Sequence, residues 1–138
     1  MSKHNCENII FHCIDFRLIK RTHDFLEKEY GVDNYDIVSI AGSSKNIADN
    51  NEEIKNYLLK QIEISYTLHH SKKVVLIHHS DCGAYKGSYQ FENEKEEKEK
   101  QIEDMKKSET IIKEKFPSMI VEKIWAQMLE NDIEFNKI

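Results

Sequence analysis

The stretch KVVLIHHSDCGA (residues 73–84) decides how this chain folds. After Lys73, the run Val74 to Ile77 is continuously apolar and mostly β-branched up to two histidines, as expected of a strand covered on both faces. The polar residues that follow end the strand at a carboxyl end carrying His79 and Cys82. Such strands belong to parallel sheets wrapped by helices.

Working outward, NIIFHC (8–13) is a second short apolar run bounded by polar residues, and it ends on Cys13. Leu18, Ile19, Thr22, Phe25, Leu26 and Tyr30 then recur at helical spacing, and Gly31 stands where that helix should stop. DIVSIAG (36–42) is another strand. Asp49 or Asn50 is the expected cap of a helix whose apolar stripe is Ile54, Tyr57, Leu58, Ile62 and Leu68. The charge run ENEKEEKEKQIEDMKK (92–107) reads as a solvated helix laced with i,i+4 pairs, ended by Pro117. MIVEKIWAQML (119–129) alternates well enough for a last strand, with IEFNKI (133–138) as a short companion. Strand alternating with helix predicts an α/β fold with a mostly parallel central sheet flanked by helices. With no repeat and no linker, residues 1–138 are expected to form a single domain.

Composition narrows the function. The chain is 39% hydrophobic and 33% charged, which suits a globular protein rather than a disordered one. A net charge of −5, with lysine interleaved among glutamates, argues against nucleic acid as partner. Neither a signal peptide nor a membrane span is evident, so a cytoplasmic location and no membrane partner are expected. Three cysteines cannot form a paired disulfide framework, which leaves metal binding or catalysis for Cys13 and Cys82, with Cys6 as a bystander thiol.

Both cysteine motifs lie at carboxyl ends of strands, where open parallel sheets form their sites. If the first and third strands are neighbours, Cys13, His79 and Cys82 face one crevice. Two sulfurs and a nitrogen suit zinc, and three protein ligands leave a fourth position for chemistry. Asp15 follows Cys13 by two residues and Arg17 by four, so a guanidinium can hold the carboxylate near the metal. Asp15 alone suits a helix cap, and Arg17 alone a surface charge; neither duty conflicts with the other. Other chemistries fail on spacing: arginine follows Cys13 too soon for a cysteine phosphatase loop, AGSSK (41–45) lacks the nucleotide-loop pattern, and no C-x-x-C is present.

C-x-D-x-R after the first strand, Ala-Gly after the second and H-x-x-C-G-A after the third form a pattern. Here it reads CIDFR (13–17), AGS (41–43) and HSDCGA (79–84), covering about the first ninety residues. In this order the chain resembles the β-class carbonic anhydrases. The resemblance implies zinc held by Cys13, His79 and Cys82, with Asp15 and Arg17 as the dyad beside it. It implies reversible hydration of carbon dioxide to bicarbonate and a proton by a zinc-bound hydroxide. It places Ala41, Gly42, Ser43 and Gly83 at the substrate pocket, and allows a closed state in which Asp15 is a fourth ligand. Two alternatives stand beside it: a zinc-binding homologue with little hydratase activity, and a hydrolase of a small linear substrate such as carbon disulfide.

The chain departs from the family at Ser43, where asparagine is common, and at His78, where glycine is usual. His78 suits packing or support of the ligands better than proton relay. The family's helical N-terminal arm is expected to be missing, so a homodimer or higher oligomer would form through sheet edges or helices. Tyr85, Tyr89 and Phe91 are candidates for pocket walls or an interface, with packing the favoured duty. His69 and His70 suit a helix end, and His12 should point away from Cys13.

Overall fold

A computed structural model describes residues 4–49 and 51–138. Five strands form one sheet in the order β2-β1-β3-β4-β5. They are β1 (Asn8–His12), β2 (Tyr35–Ser39), β3 (Lys73–His79), β4 (Ile120–Met128) and β5 (Ile133–Lys137). The first four run parallel, and β5 returns antiparallel along β4, pairing Met128 with Ile133 through Ile124 with Lys137. The mostly parallel α/β sheet expected from the apolar runs is therefore the one observed, with 133–137 as the companion strand.

Helices join the strands: α1 (Ile19–Tyr30), α2 (Lys45–Ala48), α3 (Glu52–Leu68), α4 (Gly83–Ser88) and α5 (Glu94–Lys115). The strand interiors alternate between two cores. Ile9, Phe11, Val74, Leu76, Val121 and Trp125 meet Leu58, Ile62, Met105 and Ile112 of α3 and α5. Ile10, Val75, Ile77, Ile124 and Ala126 face the other way, against Leu26 of α1 and the Phe25 and Phe135 rings. Burial on both faces is why β1 and β3 read as unbroken apolar runs.

Gly31 closes α1 as expected, at φ 95° with its N–H donating to the Glu27 carbonyl. The start of α3 differs from the expectation. Asn51 is its cap, accepting from the Ile54 N–H at 3.3 Å, and Glu52 and Glu53 follow in the first turn. Asp49 ends α2 instead, and Asn50 lies outside the described residues. The charge run does form a helix, but a longer one with a buried side. Glu97, Gln101, Asp104, Met105, Ser108 and Ile112 lie along that side at helical spacing. Only the other faces of α5 are the solvated surface expected.

The chain leaves β1 for β2 on one side and returns through α3 to β3 on the other. This reversal opens a crevice at the carboxyl ends of β1 and β3. Among the described residues no helix is long and apolar enough to cross a membrane.

Candidate metal centre

Cys13 follows the last residue of β1, His79 ends β3, and Cys82 precedes α4. Because β1 and β3 are adjacent and parallel, these three residues meet although sixty-six positions separate His79 from Cys13. One donor atom from each lies within 4.8 Å of the others, and all three residues are buried. His79 Nδ1 donates to the Ser80 carbonyl at 2.7 Å, which fixes the tautomer and leaves Nε2 as a lone-pair donor. Among the described residues, that Nε2 is buried without a hydrogen-bond partner. An orphaned imidazole nitrogen among two sulfurs fits a borderline-soft cation such as zinc, and three ligands leave one position free.

The three groups are electrically coupled. The Cys82 thiol, hydrogen-bonded to Cys13, holds the Cys13 pKa far below the usual thiol range; His79 and the Gly42 and Asp15 amides assist against burial. Cys82 is pushed up by the same contact and by burial. Burial disfavours charge on His79, but the nearby Cys13 sulfur outweighs it and raises its pKa. A divalent cation binding such a set displaces its protons.

Asp15 and Arg17 stand beside this cluster. Arg17 Nε donates to Asp15 Oδ1 at 3.0 Å and Nη2 to Oδ2 at 2.6 Å, a bidentate pair. The same guanidinium reaches Asp81 Oδ2 at 2.9 Å and the Asp81 carbonyl at 3.0 Å. Arg17 thus ties the loop after β1 to the loop after β3. Its hydrogen bonds hold the Asp15 carboxyl below its ordinary pKa. Asp15 is engaged by Arg17 and is absent from the group of mutually close donors. Ile14, Asp15, Phe16, Arg17, Asp81 and Gly83 line an open cleft of about 630 Å³.

The second strand's loop enters from behind. Gly42 has φ 81°, and a Cβ there would lie 3.0 Å from Lys45 Cβ and 3.3 Å from Ala84 Cβ, so a side chain would be both strained and crowded. Its N–H donates to Cys13 Sγ at 3.5 Å. Ser43 is buried with its hydroxyl unpartnered, and Ala41 is exposed. Of the four pocket residues expected, Gly83 lines the cleft, while Gly42 supports a sulfur. Tyr85 is fully buried against Cys13 and Cys82 and donates to Asp104 Oδ2 at 2.8 Å; Tyr89 and Phe91 pack at the cluster's edge.

Sequence reasoning missed the support from α5. Glu97 accepts from the Asp81 N–H at 3.2 Å and from the Cys82 N–H at 2.8 Å. Gln101 Nε2 donates to Glu97 Oε2 at 2.9 Å and to the His79 carbonyl at 2.8 Å. Two side chains one helical turn apart therefore hold the backbone of all of residues 79, 81 and 82. The signal available was faint: Met105 and Ile112 at helical spacing within the charged run.

His78 belongs to the same network. Its Nδ1–H donates to Gln101 Oε1 at 3.0 Å, while Nε2 accepts from the Ser44 hydroxyl at 2.7 Å and the Ser44 N–H at 3.3 Å. Both ring nitrogens are thus used in the neutral form, and complete burial pushes the pKa down to about 3. Unfolded His78 binds a proton near pH 6.5, so stability linked to it falls as pH drops below that value. An NMR titration of the His78 ring nitrogens should show no protonation between pH 8 and about 5. Titration within that range would restore the proton-relay role. His12 does turn from Cys13, its ring meeting that of His23 at 5.9 Å.

Residues 3–137 match the family described as "Putative carbonic anhydrase". An uncharacterized protein of Rickettsia conorii is 36% identical over 118 residues, covering 82% of this chain and 63% of that protein. An uncharacterized protein of Rickettsia bellii is 37% identical over 120 residues, covering 82% and 71%. The match thus spans less than two thirds of the Rickettsia conorii protein. Among solved structures, carbonic anhydrase from Streptococcus mutans aligns with TM-score 0.57 and 18% identity, over 96% of this chain and 82% of that one. Carbonic anhydrase from Glaciozyma antarctica aligns with TM-score 0.53 and 16% identity, over 98% and 84%. At these identities the structural likeness speaks for the fold.

Proposed function

From the premise that the chain belongs to the family described as "Putative carbonic anhydrase", we propose that it catalyses reversible hydration of carbon dioxide with zinc held by Cys13, His79 and Cys82. The observation that carries this is the Arg17-clamped Asp15 beside a buried donor set with an orphaned imidazole nitrogen. Held by Cys13, His79 and Cys82, zinc would acidify a water and so supply hydroxide near neutral pH.

The chain's own residues do the rest. Asp15, ionised because Arg17 depresses its pKa, accepts a hydrogen bond from the attacking hydroxide. That contact turns an oxygen lone pair toward the substrate carbon. Attack of hydroxide on carbon dioxide would form one C–O bond as a C=O pair moves onto oxygen, giving bicarbonate, with the proton of the original water passing to solvent. Ile14 and Phe16 give the cleft an apolar rim suited to an uncharged linear substrate. Arg17 keeps Asp15 on its acceptor duty, which is why an open site is proposed rather than one closed by Asp15.

Stopped-flow hydration of carbon dioxide by protein of confirmed zinc content, from neutral to alkaline pH, tests the proposal. Rapid turnover is expected already near neutrality. Turnover appearing only at alkaline pH would mean Asp15 closes the site. No turnover at any pH, or turnover of carbon disulfide alone, would overturn the proposed reaction.

A further inference from the structure

At the opposite end of the sheet a second set of donors converges. Cys6 precedes β1, Asp36 is the second residue of β2, and His69 caps the end of α3. One donor atom from each lies within 4.8 Å of the other two. These residues take no part in the chemistry at the carboxyl ends. We propose that Cys6, Asp36 and His69 form a second metal site, selective for zinc-like cations, with the fourth position open to solvent.

The surroundings are organised as a ligand shell is. The Cys6 N–H donates to the His69 carbonyl at 3.0 Å, so sulfur and imidazole are held by one backbone contact. His69 Nδ1 and Asp36 Oδ2 are 2.6 Å apart, and the Ser65 hydroxyl donates to the same carboxylate oxygen at 2.7 Å. The Ser65 bond is of the outer kind that orients the donors of metal sites. The Cys6 thiol donates a weak hydrogen bond to the Asn8 carbonyl at 3.4 Å. The exposed ring of His4 meets the His69 ring edge-on, with centroids 4.9 Å apart. Together with Asp33, these residues border an open pocket of about 170 Å³, which gives an ion a path from solvent.

A His–Asp pair alone needs no sulfur beside it. Thiolate, imidazole and carboxylate in one polar pocket are instead the mixed soft and hard donors that zinc accepts. Binding would displace the Cys6 thiol proton to solvent. The ion would staple the entry to β1 onto β2 and the end of α3. No motif announces the site, because its donors lie about thirty residues apart and meet only in the folded sheet.

The chain has three cysteines, so the Cys13→Ala/Cys82→Ala double variant keeps Cys6 as its sole thiol. Titrated with cobalt(II), that variant should develop a thiolate-to-cobalt charge-transfer band saturating at about one equivalent. Adding His69→Ala should abolish the band. No band, or a band that survives His69→Ala, would overturn the site. Should the double variant not fold, zinc content after dialysis decides. About two equivalents are expected for the wild-type chain and about one for Cys6→Ala; equal contents would overturn the site.

Discussion

Asp15→Asn is expected to lower carbon dioxide hydration by about 10²–10⁴-fold while the bound zinc is retained. The substitution preserves size, and Asp15 is not among the mutually close donors, so metal affinity should change little. What is lost is the acceptor. A carboxylate accepts only, whereas an amide also presents N–H groups to the attacking hydroxide. Asparagine also weakens the bidentate grip of Arg17, which would still be held by Asp81. Stopped-flow rates paired with zinc content distinguish this outcome from simple metal loss. Equal rates in variant and wild type would remove Asp15 from the reaction.

Arg17 adds a pH signature to the same result. Because it holds the Asp15 pKa below its unfolded value, the contact stabilises the fold above about pH 4. That contribution fades as pH falls through the depressed folded value. Arg17→Gln should move the Asp15 titration, followed by carboxyl carbon NMR, up toward the ordinary aspartate range.

Glu97→Ala should weaken zinc binding by about 10–100-fold although Glu97 is not a ligand. Its carboxylate is the acceptor for the N–H groups of Asp81 and Cys82, and the residue is 2% exposed. Alanine leaves those donors without a partner, at about 1–3 kcal/mol for each one buried. Gln101 loses one of its partners as well, loosening its hold on the His79 carbonyl. The loop that presents Cys82 would then drift, with Asp81 already in the left-handed region at φ 56°. Competition against a chelator measures the effect. Glu97→Gln, which keeps one acceptor oxygen, should recover part of it. Unchanged affinity in Glu97→Ala would show that the loop holds itself.

How much of this was legible beforehand follows from where each residue's partners lie. β1 and β3 could be read because burial on both faces demands unbroken apolar side chains, and their carboxyl ends carry the motif. The crevice between them follows from sheet topology alone. Glu97 and Gln101 could not be read, because a glutamate that accepts from a backbone fifteen residues upstream looks the same as one facing water. His78 was ambiguous for a like reason: its partners, Ser44 and Gln101, come from two distant segments. The cap of α3 sits in a run of Asp49, Asn50 and Asn51, each chemically able to serve, and only backbone geometry selects Asn51. Cys6 read as a bystander since Asp36 and His69, the donors that meet it, come from distant segments of the chain.

Anomalous diffraction at the zinc absorption edge, from crystals of the zinc-loaded chain, tests the central claim most directly. A peak is expected bonded to Cys13 Sγ and Cys82 Sγ at about 2.3 Å and to His79 Nε2 at about 2.0–2.1 Å. Asp15 should remain on Arg17, leaving the fourth position to solvent. No peak between those three residues, or a peak ligated by Asp15, would contradict it.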